Sequence, residues 1–450
     1  MRDTFRGGVH PKEHKELSRK AALRVFDAKG EMVFPLAQHI GKPAKAIVKK
    51  GDPVLVGTRI GEADGFVSAH VICSCSGTVK AVEKRRTISG AMQECIVVDN
   101  DGQYNRIDSI LEQPMRTEGL TKDDILNAVK DAGIIGLGGA GFPTHVKLMP
   151  KDPLAIKYLI ANGAECEPYL TCNDQLMRGY AKEIVEGMEI VLTLFPNAQG
   201  VVAIENNKPE AIAAMQKAAE GHRRIRVLGL RTKYPQGGER SLISVIAGVH
   251  YPITSLPADV GCIVDNVGTI YAIQRACAYH EPLFRHVMTV TGEAVREPSN
   301  FIARDGTSFQ ELIEAAGGIK EGFAAKKILS GGPMMGIAVG STEVPITKTT
   351  NAITVLAEDP VEKAERQMTA CLHCGRCTTV CPVGLMPQMM ADAAIAGDLA
   401  RYEKKLYGLE CIQCGSCTFI CPAKRPLMQV FKQAKAEIAA AKKREGGNQK

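Results

Sequence analysis

Eight of the chain's fifteen cysteines fall into two matching runs near its C-terminal end. Each run has the spacing C-x-x-C-x-x-C-x-x-x-C-P, which is typical of proteins that hold two [4Fe–4S] clusters. Three closely spaced thiolates hold one cluster, and the fourth cysteine of the run reaches across to the other. The predicted ligand sets are Cys371, Cys374, Cys377 and Cys421 for the first cluster, and Cys411, Cys414, Cys417 and Cys381 for the second.

Zinc ribbons and disulfides are the alternatives to this interpretation. Zinc sites usually pair two C-x-x-C knuckles rather than this three-plus-one pattern, and nothing in the sequence indicates an oxidising compartment. The other seven cysteines are scattered. Cys73 and Cys75 form a C-x-C pair without a neighbouring histidine, and Cys262 and Cys277 lie among apolar residues. We expect these four to be packed thiols.

Length and charge restrict the class of protein. A chain of 450 residues with 45% apolar residues is long enough for about three packed domains. Its longest uncharged stretch, 241–258, contains a histidine and two prolines, so we expect no membrane-spanning helix. The N-terminal MRDTFRGGVHPKEHKE has no apolar segment, so we expect no signal peptide. The net charge of +7 comes from residues 1–20 and 432–450. We expect solubilising tails or docking segments there, and no nucleic-acid binding.

A glycine-rich stretch runs from Gly136 to Lys147 as GLGGAGFPTHVK. It follows a predicted amphipathic helix, TKDDILNAVKDAG, in which Thr121 and Asp124 form a capping box. Closely spaced glycines let backbone N–H groups approach a phosphate, and a lysine adds a positive charge. The spacing is neither G-x-G-x-x-G nor a Walker A motif, so tight turns remain the alternative for the stretch by itself.

The glycine-rich stretch resembles G-R-G-G-A-G-F-P-T-G-x-K, the flavin loop of the NADH-oxidising flavoprotein subunit of respiratory complex I. Three further segments resemble this family in the same order, namely NGAECEP at 162–168, YPQGGERSL at 234–242 and DNVGT at 265–269. With an N-terminal FRGGVHPKEHKE and two cluster motifs, the whole chain resembles the RnfC proteins of Rnf electron-transport complexes.

The resemblance implies a multidomain α/β and α+β fold. Its expected parts are an N-terminal segment (1–25), a barrel-sandwich hybrid, lipoyl-like β domain (26–103), a Rossmann-like FMN/NADH domain (115–284), a β-grasp domain of the SLBB type (285–345), a helical ferredoxin-like domain with two [4Fe–4S] clusters (355–435) and a basic polar tail (436–450). Val/Ile-rich runs between turn signals favour an all-β domain over 26–103 independently of the resemblance.

The resemblance also implies roles for particular residues. Gly136, Gly138, Gly139, Ala140, Gly141 and Lys147 would hold the FMN phosphate and ribityl chain, with Asn266 and Thr269 at the phosphate end. Asn162 and Glu165 would hold the flavin ring. Phe142, Glu167 and Glu239 would contact the nicotinamide nucleotide, and Tyr234 and Gly237 would also belong to the cofactor-binding site. Leu137, Ala164, Gly238 and Asp265 depart from the family pattern. These departures predict fewer polar contacts to the flavin and the nucleotide than in the family.

The function implied is electron transfer between ferredoxin and NAD⁺ through two [4Fe–4S] clusters and a non-covalent FMN. A flavin exchanges hydride with nicotinamide and single electrons with iron–sulfur centres, so no general acid or base is nominated. The implied partners are other Rnf subunits, above all the iron–sulfur subunit, with ferredoxin acting indirectly. The implied location is peripheral, on the cytoplasmic side of the cell membrane. A soluble corrin reductase and a structural relative without flavin are the alternatives.

Overall fold

The computed structural model describes residues 3–447 and contains two compact units. The smaller unit consists of Met1–Lys12, Leu230–Leu256 and Asp359–Lys450, and the larger unit consists of Glu13–Gly229 and Pro257–Glu358. No described helix is long and apolar enough to cross a membrane.

The strands, in chain order, are β1 (Leu23–Phe26), β2 (Met32–Pro35), β3 (Lys45–Ala46), β4 (Pro53–Val54), β5 (Arg59–Glu62), β6 (Val71–Ile72), β7 (Gly77–Arg86), β8 (Met92–Asn100), β9 (Tyr158–Asn162), β10 (Gln199–Glu205), β11 (Ile225–Leu230), β12 (Cys262–Asn266), β13 (Arg285–Thr291), β14 (Ser299–Arg304), β15 (Lys327–Ser330), β16 (Ile337–Ala338) and β17 (Ala352–Leu356).

The α-helices are α1 (Lys122–Asp131), α2 (Thr144–Lys147), α3 (Cys172–Gly179), α4 (Ala181–Thr193), α5 (Pro209–Ala218), α6 (Glu239–Ile246), α7 (Val267–Tyr279), α8 (Phe309–Ala315), α9 (Pro360–Glu365), α10 (Arg376–Thr379), α11 (Pro387–Ile395), α12 (Leu399–Lys404), α13 (Ser416–Ile420) and α14 (Leu427–Gly447). Short 3-10 turns cover Lys15–Leu17, Pro153–Ala155, Pro257–Val260 and Gly408–Glu410.

Two small sheets form the predicted barrel-sandwich module. One has the strand order β2-β8-β7-β4 and the other the order β3-β5-β6. Their shared core contains Met32, Phe34, Ile60 and Ile96, all fully buried. Cys73 and Cys75 belong to the same core with their Sγ atoms 3.9 Å apart and unbonded, which confirms them as packed thiols.

The nucleotide-domain sheet has the order β11-β10-β9-β12, and β9 is parallel to both of its neighbours. Helix α1 packs Ile125 and Val129 into the adjoining core, and its predicted capping box of Thr121 and Asp124 is formed. Ligands of open parallel sheets bind beyond the carboxyl ends of the strands. The sheet therefore places the residues that follow β9 and β12 where a nucleotide would bind.

A six-stranded sheet, ordered β1-β14-β13-β17-β15-β16, forms the β-grasp module together with α8. Ser308 caps α8, and Phe309 and Leu312 are buried against the sheet. The sheet includes β1 and β17, which lie outside residues 285–345. Strand β1 pairs in parallel with β14, so a segment near the N-terminus completes a sheet whose other strands come from the second half of the chain.

Helices surround the cysteine runs in the smaller unit. The sequence MPQMMADAAIAGDLARYEKKLYG at 386–408 predicts one helix, but the structure has α11 and α12 separated at Gly397, whose φ of +72° ends the first helix. Met390, Tyr402 and Phe431 are buried between α11, α12 and α14. Residues 448–450 of the predicted basic tail lie outside the described part of the chain.

The prediction of a tail is wrong for the N-terminal segment. Phe5 and Val9 are buried within the smaller unit, and Lys15 and Ser18 are buried within the larger one. Lys15 Nζ donates hydrogen bonds to the carbonyl oxygens of residues 165, 167 and 170, at 2.9, 3.1 and 2.6 Å. This positive charge is part of the folded core because it satisfies three carbonyl groups of a buried turn.

Candidate functional site

Two cavities in the smaller unit are lined by cysteines, and each contains one predicted ligand set. The first cavity is lined by Cys371, Cys374, Cys377 and Cys421. The second is lined by Cys381, Cys411, Cys414 and Cys417. The fold thus brings the fourth cysteine of each run to the first three of the other run. This is the exchange that the spacing predicts.

The donor set of both cavities fits an iron–sulfur cluster. All eight cysteines are free thiols rather than disulfides. Within residues 3–447 no group of three or more His, Cys, Asp or Glu side chains is arranged around a single metal ion. A cubane offers four separate iron atoms, so its thiolates need not converge on one point as the ligands of zinc do.

The two cavities differ in exposure. Cys374 of the first cavity is exposed, whereas the corresponding Cys414 of the second is only 8% exposed and Cys417 only 9%. Burial raises the pKa of the Cys411 thiol to about 11, and the pKa of Cys417 is shifted in the same direction. Bound iron would deprotonate these thiols, because a coordinated thiol loses its proton to the charge of the metal.

Residues distant in sequence contact the backbone of the segments that line the second cavity. The Tyr234 hydroxyl donates a hydrogen bond of 2.7 Å to the carbonyl oxygen of Cys414, and Lys435 Nζ donates one of 2.7 Å to that of Cys411. The Gly8 N–H donates to the Val380 carbonyl oxygen at 2.8 Å. A Cβ at Gly7 would lie 2.9 Å from the Cys381 carbonyl oxygen, so the chain approaches this ligand more closely than a side chain would permit.

In the larger unit, the glycine-rich loop follows α1 and lies beside the start of α7. Gly138, Gly139 and Ala140 are exposed, and Gly138 has a φ of +70°. A Cβ at Gly138 would lie 2.9 Å from Asn266 Nδ2, whereas one at Gly139 would meet open space. The loop therefore presents bare backbone to solvent, and this fits a phosphate-bearing ligand such as FMN.

Two side chains from the start of α7 hold this loop. The Leu137 N–H donates a hydrogen bond of 2.9 Å to Thr269 Oγ1, which is buried. Asn266 caps the helix by accepting from the Gly268 N–H at 2.8 Å. The N-terminus of a 13-residue helix carries partial positive charge, so the site favours an anion. Asn266 also pairs in register with Asn162 at the carboxyl ends of β12 and β9.

Lys147 is paired within the protein. Its Nζ donates hydrogen bonds to the Val264 carbonyl oxygen at 2.7 Å and to Asp265 Oδ1 at 2.8 Å. A Cβ at Gly136 would lie 3.8 Å from this Nζ, so the ammonium group is adjacent to the loop. Burial raises the pKa of the Asp265 carboxyl, while the neighbouring lysine acts to lower it. Part of the positive charge expected to face a phosphate is therefore offset by the protein.

The two glutamates after β9 also have partners. Glu165 Oε1 accepts a hydrogen bond of 2.7 Å from the Asn173 N–H at the start of α3, and burial raises the pKa of this carboxyl. Glu167 Oε1 accepts from the N–H groups of Met334 and Met335 at 3.0 and 2.7 Å. Burial raises the pKa of Glu167 to about 7. Glu167 thus joins the nucleotide domain to the β-grasp domain.

The remaining predicted nucleotide residues are divided between the units. Phe142 is half-buried in the larger unit, after the loop. Tyr234, Gly237 and Glu239 lie in the smaller unit, where Tyr234 is buried and Glu239 begins α6. The assignment of these residues to the cofactor-binding site stays a prediction.

Comparison with known families accounts for most of the chain. Residues 3–103 match the RnfC barrel sandwich hybrid domain, 129–275 the Nuo51 FMN-binding domain, 287–338 the SLBB domain and 363–422 the 4Fe-4S dicluster domain. These matches confirm the predicted fold class and the predicted cofactors, FMN and two [4Fe–4S] clusters.

Relatives that match over their full length decide the family. The chain is 41% identical over 448 residues to the RnfC-type component of the proton-translocating ferredoxin:NAD(+) oxidoreductase complex of Clostridium ljungdahlii, covering 99% of this chain and 96% of the relative. It is also 41% identical to the corresponding component of the Na(+)-translocating complex of Acetobacterium woodii, covering 98% of each chain. The chain belongs to the RnfC family. No finding favours the corrin-reductase alternative.

A solved structure supports the fold of this RnfC protein. The NAD⁺-reducing [NiFe]-hydrogenase in its H2-reduced state matches with a TM-score of 0.51 and 19% identity, over 74% of this chain and 68% of that one. At this identity the likeness concerns the fold alone.

Several contacts around the cluster cavities of this RnfC protein were missed from the sequence. Gly7, Gly8 and Tyr234 lie far along the chain from the cysteine runs that they contact. The two adjacent glycines in FRGGVHP were a usable signal, because glycine is the residue that permits a close approach of the backbone to another group. In the structure both have positive φ. The partners of Lys15 and Glu167 had no comparable local signal.

Proposed function

We propose that this protein is the FMN and iron–sulfur subunit of an ion-translocating ferredoxin:NAD⁺ oxidoreductase complex. It carries electrons between ferredoxin, through a partner subunit, and NAD⁺. The observation that carries the proposal is the joint presence of two four-cysteine cavities and an exposed glycine-rich loop at the start of a helix.

The residues of the larger unit bind and orient the nucleotide. Backbone N–H groups of 138–141 and the start of α7 would receive the FMN phosphate, with Lys147 adding charge from beside Gly136. Thr269 fixes the loop through Leu137, so the binding geometry exists before the ligand arrives. Bound FMN supplies the exchange of hydride with NAD⁺ and of single electrons with iron–sulfur clusters.

The residues of the smaller unit hold the clusters and control their access to water. Cys371, Cys374, Cys377 and Cys421 would hold one cluster in the more exposed cavity. Cys381, Cys411, Cys414 and Cys417 would hold the other, and the Tyr234 hydroxyl donates a hydrogen bond to the carbonyl oxygen of one of them, Cys414. Differences in burial and hydrogen bonding around the sulfurs are the means by which a protein sets cluster potentials.

The partners are the other members of the complex, including its iron–sulfur subunit, and the association with the cell membrane is peripheral on the cytoplasmic side. Ion translocation belongs to those partners. The resident groups of this chain bind and relay electrons, and no side chain is assigned as a general acid or base.

Anaerobic reconstitution tests the proposal. The full chain, loaded with iron, sulfide and FMN, should show a flavin band and a broad iron–sulfur absorbance, and NADH should bleach both. Absence of FMN after reconstitution, or no response to NADH, would contradict the proposed function. The matched control is C374S/C414S, which should retain the flavin band but lose the iron–sulfur absorbance.

A further inference from the structure

The rim of the first cysteine cavity is open to solvent. Leu372, which lines the cavity, is 62% exposed, and Met368 nearby in the chain is 51% exposed. The cluster ligand Cys374 is itself exposed. The second cavity has no comparable opening among its own ligands, because Cys414 and Cys417 are buried. A redox partner can therefore come closer to a cluster in the first cavity than to one in the second.

Both cluster-binding segments lack acidic residues. Residues 366–391 and 411–436 contain no Asp or Glu, and their Lys and Arg residues are Arg366, Arg376, Lys424, Arg425, Lys432 and Lys435. Lys424 lies between the lining residues Ala423 and Arg425, Arg376 lies between the lining residues Gly375 and Cys377, and both cations are exposed. The carboxylates that approach these segments include Glu362, which pairs with Arg366, and Asp392, which lies 3.9 Å from Arg425.

We infer that the rim formed by Met368, Leu372, Arg376 and Lys424 is the docking surface for an iron–sulfur electron-transfer domain with an acidic face. The inference rests on the proposed function and adds the port through which electrons enter or leave. An apolar centre flanked by cations is suited to a small, transient redox interface. Opposite charges then orient the partner and accelerate the encounter.

The cations have one competing explanation. A [4Fe–4S] cluster with four thiolate ligands is negatively charged, so nearby cations could serve only to offset the charge of the protein's own cluster. That role would change the cluster potential and its reduction by any donor. A docking role changes the reaction with an acidic protein selectively, and the effect disappears at high salt.

The test uses the full reconstituted chain and two electron donors. The protein donor is an acidic two-[4Fe–4S] ferredoxin reduced with dithionite, and the small donor is reduced methyl viologen, a cation. Stopped-flow absorbance gives the second-order rate of cluster reduction, and calorimetry gives the affinity for the oxidised ferredoxin. For the wild type, the ferredoxin rate should fall by about tenfold or more between low salt and roughly 0.3 M salt, as expected for electrostatically steered association.

The variant R376E/K424E should lower the ferredoxin rate and affinity about tenfold or more at low salt, without lowering the rate with methyl viologen. The control K182E/K217E makes the same change in net charge on exposed lysines of α4 and α5, and it should leave the ferredoxin rate within about twofold of wild type. If the reversal lowers iron content, R376Q/K424Q replaces it, with an expected fall of about threefold or more.

Two results would overturn the docking surface. One is an unchanged ferredoxin rate in the rim variant, and the other is an equal fall with both donors. Failure of the proposed function has a different signature, because NADH would then bleach neither flavin nor clusters in the wild type, whatever the outcome with ferredoxin.

Discussion

The cluster cavities and the nucleotide loop use their functional side chains in opposite ways. In the smaller unit, eight thiols surround two cavities and no disulfide joins them. In the larger unit, the candidate polar residues already form hydrogen bonds within the protein. Lys147 donates to Asp265, Glu167 accepts from the N–H groups of Met334 and Met335, and Thr269 accepts from the N–H of Leu137. The first region is completed by its ligand, whereas the second is organised before its ligand binds.

This difference follows from the chemistry of the two ligands. An iron–sulfur cluster binds through coordinate bonds to side chains, and those bonds contribute directly to the stability of the fold. A nucleotide phosphate binds largely to backbone N–H groups, which must be positioned by other contacts. Four changes to the protein test this contrast, and they are taken from the largest expected effect to the smallest.

Removal of iron should destabilise its region far more than removal of FMN destabilises the loop. Chelation under anaerobic conditions should increase hydrogen exchange by about a hundredfold or more in peptides covering 411–421, because the buried cavity loses the group that joins its walls. Removal of FMN should change exchange over the loop at 136–147 by less than about tenfold, as measured by mass spectrometry. Equal effects of the two treatments would break the comparison.

Glu167→Gln should remove a pH dependence of stability. Because the pKa of Glu167 is raised to about 7 in the folded protein, the folded state binds this proton more tightly than the unfolded state does. Its contribution to the free energy of unfolding is therefore present at low pH. This contribution, of about 3 kcal/mol, is lost as the pH rises from the pKa of the unfolded state through the pKa of the folded state.

The measurement for Glu167 is urea denaturation of both proteins at a series of pH values from about 4.5 to about 8, which spans both pKa values. The stability of wild type relative to E167Q should decrease with rising pH and level off above the folded pKa. Glu220→Gln, at an exposed carboxylate, is the control and should give a constant difference. A constant difference for E167Q as well would show that this carboxyl does not stay buried in the folded protein.

Asp265→Asn should tighten FMN binding. The substitution removes the carboxylate that pairs with Lys147, so the ammonium group beside Gly136 gains electrostatic influence on the phosphate. The expected gain is about 1 kcal/mol, or about fivefold in Kd, by fluorescence titration of the flavin-free protein. Asp123→Asn on the exposed face of α1 is the control. Weaker binding would mean that Asp265 is needed to position the lysine.

Tyr234→Phe should have the smallest effect. It removes the hydroxyl that donates to the Cys414 carbonyl oxygen and should lower the free energy of unfolding by about 1 kcal/mol. Denaturation followed by cluster absorbance measures the change. Tyr407→Phe, at a residue that is 66% exposed, should change stability by less than half as much. An equal effect would show that this contact beside the second cavity adds nothing to the stability of its cluster.

Much of the fold could be predicted from local patterns. The amphipathic pattern and the capping box predicted α1. The single helix over 386–408 was wrong because Gly397 takes a left-handed conformation that the apolar pattern does not reveal. The N-terminal segment was wrong for another reason. Its charges resemble those of a tail, and only the buried carbonyl groups around residues 165–170 explain Lys15.

The sequence by itself determined which cysteines line each cavity, the exchange of the fourth cysteine between the two runs and the position of the glycine-rich loop. Those features depend on spacing over a few residues, because the covalent geometry of the chain limits where side chains a few residues apart can lie relative to one another. Only the tertiary structure decided that Asp265 pairs with Lys147, that Tyr234 and Gly7 contact the backbone of two cysteines of the second cavity, and that Cys374 stays exposed while Cys414 is buried. These contacts join residues far apart in the chain, so packing and burial rather than local pattern select them.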